Sequence, residues 1–134
     1  MALEIKRRER EGIDLLDLNG RITAGKDVAA FRAAVEQVSG TPPRLVLNMK
    51  GVDYVDSTGL GALVMCANRI SQLKGAAKLA EVNRRNIELL VMTKIDTIFE
   101  IFDDETEAVN SFFPERAIRR FDILSFVRHL DDED

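Results

Sequence analysis

Apolar and charged positions alternate at the start of the chain. Leu3 and Ile5 stand between charged neighbours, and after a turn at Glu11-Gly12 the extended pattern resumes through Ile13, Leu15, Leu16 and Leu18 up to Asn19-Gly20. This spacing predicts two strands joined as a hairpin. Arg21-Ile22-Thr23 then leads into a segment whose apolar residues Val28, Phe31, Val35 and Val38 step by three and four. That is one face of an amphipathic helix, closed by Gly40 and Pro42-Pro43.

Arg44 to Met49 is dense in leucine and valine and bounded by prolines and Gly51, as expected for a central strand covered on both faces. Gly51 to Val55 is expected as a connection anchored inward by Val52 and Val55. It delivers the chain to Asp56-Ser57, where the longest helical pattern begins: Leu60, Leu63, Val64, Ala67, Ile70 and Leu73, stopped by Lys74-Gly75. Ala76 to Val82 reads as a weaker strand, and Asn83 caps a short helix carrying Ile87, Leu90 and Val91. Ile98, Phe99, Ile101 and Phe102 predict a small strand or packed turn. Asp103-Asp104 opens a further helix with Ala108, Val109 and Phe112-Phe113 toward its end.

Strands separated by helices imply parallel pairs joined by right-handed crossovers, hence an α/β fold. The pattern changes after Pro114. Glu115 to Leu130 places Ile118, Phe121, Leu124 and Val127 at helical spacing, and Asp131 to Asp134 forms an acidic end. The expected organisation is one domain over residues 1–113 and a C-terminal helical extension over 114–134. The Phe121, Leu124 and Val127 stripe is expected to pack on the domain or on a second copy of the chain, giving a homodimer.

Composition narrows the class. A length of 134 residues suits one domain. No apolar run approaches the ~20 residues that span a bilayer, and the first ten residues contain no secretory apolar stretch. A soluble, cytoplasmic protein without membrane insertion is expected. The net charge is -4, with Lys and Arg scattered among acids, which argues against a nucleic-acid surface. Cys66 is the only cysteine and His129 the only histidine, so neither disulfides nor a Cys/His metal site is expected, and no cofactor is called for.

The candidate chemistry lies in Asp56-Ser57-Thr58-Gly59-Leu60-Gly61. A hydroxyl at a helix start can cap the helix through Ser57, and a phosphate there would meet the positive end of the helix dipole. A partner packed over the same turn would meet that added charge beside Asp56. Gly59 and Gly61 lack side chains that would keep another backbone away, while Leu60 reads equally as a core anchor or an exposed contact. The plain alternative is that Asp-Ser-Thr is capping chemistry and the glycines serve a turn. Serine hydrolysis is not expected: the surroundings are not Gly-x-Ser-x-Gly, and His129 sits in a polar tail without an orienting group. No catalytic residue is assigned.

Leu45-Val-Leu-Asn-Met-Lys-Gly-Val-Asp-Tyr-Val-Asp-Ser-Thr-Gly-Leu-Gly-Ala-Leu, with Val82-Asn83 and Ile98-Phe99-Glu100-Ile101-Phe102, resembles the STAS domain of bacterial anti-sigma factor antagonists over about residues 3–113. The resemblance implies a mixed sheet with helices packed mainly on one face. It also implies a non-enzymatic binding module: Ser57 is phosphorylated by an anti-sigma factor with serine kinase activity, a phosphatase reverses this, and unphosphorylated protein binds the kinase. Asp56, Thr58, Gly59, Leu60 and Gly61 become contact residues. The alternative within the same fold is a non-switching scaffold or a cytosolic subunit of a membrane transport complex. Asn48 stands where the family often carries an acidic residue. Elsewhere Cys66 is expected to be buried, Asp103-Asp104-Glu105 to serve helix capping, and Lys6, Arg7, Arg8 and Arg10 to form a solvated strand edge.

Overall fold

In the computed structural model, residues 2–116 and 122–132 are described, the last four by backbone only. The hairpin forms from β1 (Glu4–Arg10) and β2 (Ile13–Ile22), with Ile5 opposite Leu18 and Arg7 opposite Leu16. It is followed by α1 (Lys26–Glu36), β3 (Arg44–Val55), α2 (Ser57–Gln72), β4 (Ala76–Ala80), α3 (Arg84–Met92), β5 (Glu100–Phe102), α4 (Glu105–Asn110) and α5 (Ile123–Asp132). A short 3-10 turn, Ile95–Thr97, precedes β5.

The sheet runs in the order β1-β2-β3-β4-β5; β1 is antiparallel to β2 and the remaining pairs are parallel. Because successive parallel strands step one way and their crossovers share a hand, the connecting helices fall on the same face. Leu45, Leu47 and Met49 of β3 accordingly meet Phe31 of α1, Leu63 of α2 and Leu90 of α3 in one core. The opposite face carries a smaller cluster in which Val46 and Phe102 pack under Ala108 and Val109 of α4. The expected mixed sheet, with helices mainly on one face, is what the chain forms.

Four expectations change. Gly51 to Val55 is not a connection: β3 continues through Val55, paired with the last residues of β2. Register shifts after Asp17 and Gly20 let Val52 and Val55, three apart, both turn inward. The arginines of β1 are not a bare solvated edge. Arg7 pairs with Asp14 at 3.2 Å, Arg8 with Asp17 and Glu105, and Arg10 with Glu105 at 3.2 Å. Phe112 and Phe113 lie beyond the end of α4, still packed on the smaller cluster.

The C-terminal helix also differs in phase. Asp122 accepts the Ser125 N–H at 3.0 Å at its start, and Ile123 and Phe126 pack on the main core while Leu124 is 73% exposed. Ile118 and Phe121 lie outside the described residues. Arg116 donates to both Asn110 and Glu11 and lies 4.1 Å from the centre of the Phe113 ring, which ties the segment after α4 to the hairpin turn.

Candidate groove at the start of helix α2

Asp56, not Ser57, caps α2. Its extended backbone and short carboxylate suit the position, and one oxygen accepts the Gly59 N–H at 2.7 Å. The other accepts the Ala24 N–H at 3.0 Å, which joins the loop after β2 to the same residue. The bonds from Gly59 and then Ala24 hold the Asp56 carboxyl below its ordinary range, so it is a fixed anion.

Ser57 therefore occupies the first helical position with its side chain exposed and without a capping role. Thr58 and Gly61 are exposed as well, and a Cβ on Gly61 would meet nothing within 4 Å. Gly59 is different. It is buried, and a Cβ there would collide with the Ile22 carbonyl oxygen and press on Val55, so this glycine seats α2 on the ends of β2 and β3. Of the residues expected at the contact surface, Gly59 is buried beneath the turn, while Ser57, Thr58 and Gly61 are exposed on it. Leu60 is half-buried and packs on the main core while one side remains available to the groove described next.

A groove of about 390 Å³ separates the start of α2 from α3. Ser57 and Leu60 form one wall; Arg85, Leu89 and Met92, spaced four and three apart on α3, form the other. Tyr54, from the outward side of β3, sits at the same place, 46% exposed, and Met92 is 80% exposed. Asn83 and the buried Asn86 hold α3 in position by donating their side-chain amides to the Val52 carbonyl at 2.9 and 3.0 Å. Val52 lies beyond the last β3–β4 pair, Asn48 opposite Ala80, where β4 has ended and α3 takes its place beside β3.

The α3 wall, Tyr54 and Arg85 carry none of the sequence signals that mark residues 56–61. The available clue is helical spacing: the face of α3 opposite its buried residues must be read separately from its core face. A second groove of about 410 Å³ between α1 and α2 contains none of residues 56–61. There Arg32 donates to the Met65 sulfur at 3.0 Å.

Asn48 lies on the opposite face of the sheet. Its amide donates to Glu81 at 3.2 Å and Glu105 at 3.1 Å, and its carbonyl oxygen accepts the Lys50 N–H. Burial alone would raise the Glu105 carboxyl, but hydrogen bonds from Arg8 and Asn48 outweigh it and leave the group below its ordinary value. Cys66 is buried as expected, and burial pushes its thiol up to about 12, far from a reactive thiolate. Among the described residues no cluster of three His, Cys, Asp or Glu could hold a metal, and no helix is long and apolar enough to cross a membrane.

Comparison with known proteins finds relatives of both the sequence and the fold. The chain is 27% identical over 103 residues to the anti-sigma-F factor antagonist RsfB of Mycobacterium tuberculosis, covering 75% of this chain and 84% of that one. It is 26% identical over 117 residues to the anti-sigma F factor antagonist of Paenibacillus polymyxa, covering 81% and 94%. Its fold superposes with a TM-score of 0.70 and 19% identity on an anti-sigma-factor antagonist (STAS) domain protein from Planctomyces limnophilus, over 80% of this chain and 96% of that chain. The family model of the STAS domain matches residues 4–108. With β1 through β5 and the start of α4 in the matched span, together with the strand-to-helix turn at Asp56-Ser57, the chain belongs to the STAS domain family.

Proposed function

We propose that this protein is an anti-sigma factor antagonist: it binds an anti-sigma factor with serine kinase activity through the start of α2 and the adjoining groove, and phosphorylation of Ser57 weakens that binding. The observation that carries the reading is the division of labour between Asp56 and Ser57. Asp56 does the capping, which leaves the Ser57 hydroxyl exposed on the rim of a partly apolar groove. The names of the relatives support the partner class.

In the forward step Ser57 Oγ takes the terminal phosphoryl group of ATP from the kinase, releasing ADP and the hydroxyl proton; a phosphatase returns the hydroxyl by hydrolysis with water. The added charge of about -1.5 to -2 stands beside the Asp56 anion. Docking a partner there would strip water from both, and this desolvation opposes binding. The domain itself tolerates the group because Ser57 is exposed and makes no contact that α2 requires. The protein performs no chemistry of its own, and the kinase supplies the catalytic groups. The module extends over residues 1–113 with 114–134 as an appendage, and it acts in the cytoplasm.

The test is capture of partners from native cytosol with intact-mass measurement of the captured protein, followed by affinity measurements on purified partner. Ser57→Ala should bind constitutively. Phosphorylated protein should bind at least roughly tenfold more weakly than unmodified protein, about 1.4 kcal/mol. Ser57→Asp should fall between them, since one carboxylate has less charge and fewer acceptor oxygens. Equal affinity of modified and unmodified protein would exclude the switch. Co-purification with transport components and no kinase would favour a non-switching subunit.

A further inference from the structure

A phosphate on Ser57 would find few backbone donors left to it. Asp56 already takes the Gly59 N–H through its side chain at 2.7 Å and the Leu60 N–H through its carbonyl at 2.9 Å. The Thr58 N–H also contributes to holding the Asp56 carboxyl low. The start of α2 is thus largely spent on its own cap, and that cap is a neighbouring negative charge. Compensation for a dianion must come from side chains.

Arg85 stands across the groove from Ser57. It also lines an adjoining hollow of about 300 Å³ with Arg21, Asp53 and Tyr54. Arg7, Arg8, Arg10 and Arg116 are bonded to acids, whereas neither the Arg21 nor the Arg85 side chain has a hydrogen bond or ion pair among the described residues. The acids near them do not remove that capacity. Glu88, on the groove wall, faces Arg84 at 3.6 Å, and Asp53 is one carboxylate beside two guanidinium groups.

We propose that Arg85, backed by Arg21, receives the phosphate of Ser57, so that modification bridges α2 and α3 over the groove. A planar guanidinium offers paired N–H donors that match two phosphate oxygens, and its charge offsets the repulsion from Asp56. The bridge covers Leu60 and Leu89, so the modified state excludes a partner by occupying its docking groove as well as by carrying charge. This inference rests on the phosphoswitch reading of Ser57 and adds how the modified state is held.

The experiment uses the full chain with phosphoserine installed at position 57 and no partner present, followed by a ³¹P NMR pH titration. The expected second pKa lies below the value of about 6 for a free phosphoserine, despite the adjacent Asp56. It should return toward or above that value in Arg85→Gln and be partly retained in Arg85→Lys. A parent value at or above about 6 overturns the proposal without any variant. So does an unchanged titration in an Arg85→Gln protein whose urea midpoint matches the parent. A lowered pKa combined with unchanged partner affinity would support the Arg85 contact while sinking the switch, so the two readings fail separately.

Discussion

The side-chain amide of Asn86 donates to the Val52 carbonyl at 3.0 Å, fastening the first turn of α3 to the irregular end of β3. Asn86 is 3% exposed, so deletion of its amide would leave a buried acceptor with only the Asn83 donor. Asn86→Ala is expected to destabilise the domain by about 1–3 kcal/mol, measured by urea denaturation. It should also weaken partner binding, because α3 carries one wall of the groove. Unchanged affinity in the folded variant would show that the wall does not need this fastening.

The two glycines of the turn should respond oppositely to alanine. Gly59→Ala drives a methyl group into the Ile22 carbonyl and should cost about 1–3 kcal/mol. Gly61→Ala enters open space in a helix and should stabilise by about 0.5–1 kcal/mol. Denaturation midpoints of the two variants, compared with the parent, decide this directly.

Glu105 gives the fold a pH dependence. Its folded carboxyl lies below its ordinary value, so its contribution is present above the unfolded pKa of about 4.3 and is lost as pH falls through the folded value. Glu105→Gln should lose about 1–3 kcal/mol at neutral pH, where charge-assisted bonds from Arg8 and Arg10 are removed. The gap from the parent should narrow below about pH 4. A gap independent of pH would mean that the carboxylate charge is not what matters.

Truncation probes the segment that follows α4. A chain ending at Arg116 retains the bonds from Arg116 to Glu11 and Asn110 and should unfold in one cooperative transition. Ending after Pro114 removes those bonds and should lower the urea midpoint further while keeping cooperativity. Loss of the cooperative transition in the Arg116-terminated chain would show that Ile123 and Phe126 complete the main core.

The sheet and its helices are legible because burial imposes periods of two and of three to four on the sequence, and Leu45-Val46-Leu47 and Leu63 to Ile70 carry them clearly. The end of β3 is not legible in this way. The register shifts break the period, so Val52 and Val55 read as anchors of a loop. At the site, the motif locates the turn but not the roles inside it. Asp56 and Ser57 are both good cap residues, and only the backbone geometry shows which one caps. Gly59 and Gly61 look alike in sequence and differ because one faces the Ile22 carbonyl and the other faces nothing within 4 Å. Arg21 and Arg85 are far apart in the chain and meet in one hollow at the end of β3, where Tyr54 is paired with Arg21.

Tyr54 gives the groove a native optical label. The chain has one tyrosine and no tryptophan, so the intrinsic ultraviolet emission of the isolated protein comes chiefly from a single ring beside Ser57 and Arg85. Its intensity and anisotropy can follow events at this surface in unlabelled protein, including the docking of a partner that carries no tryptophan.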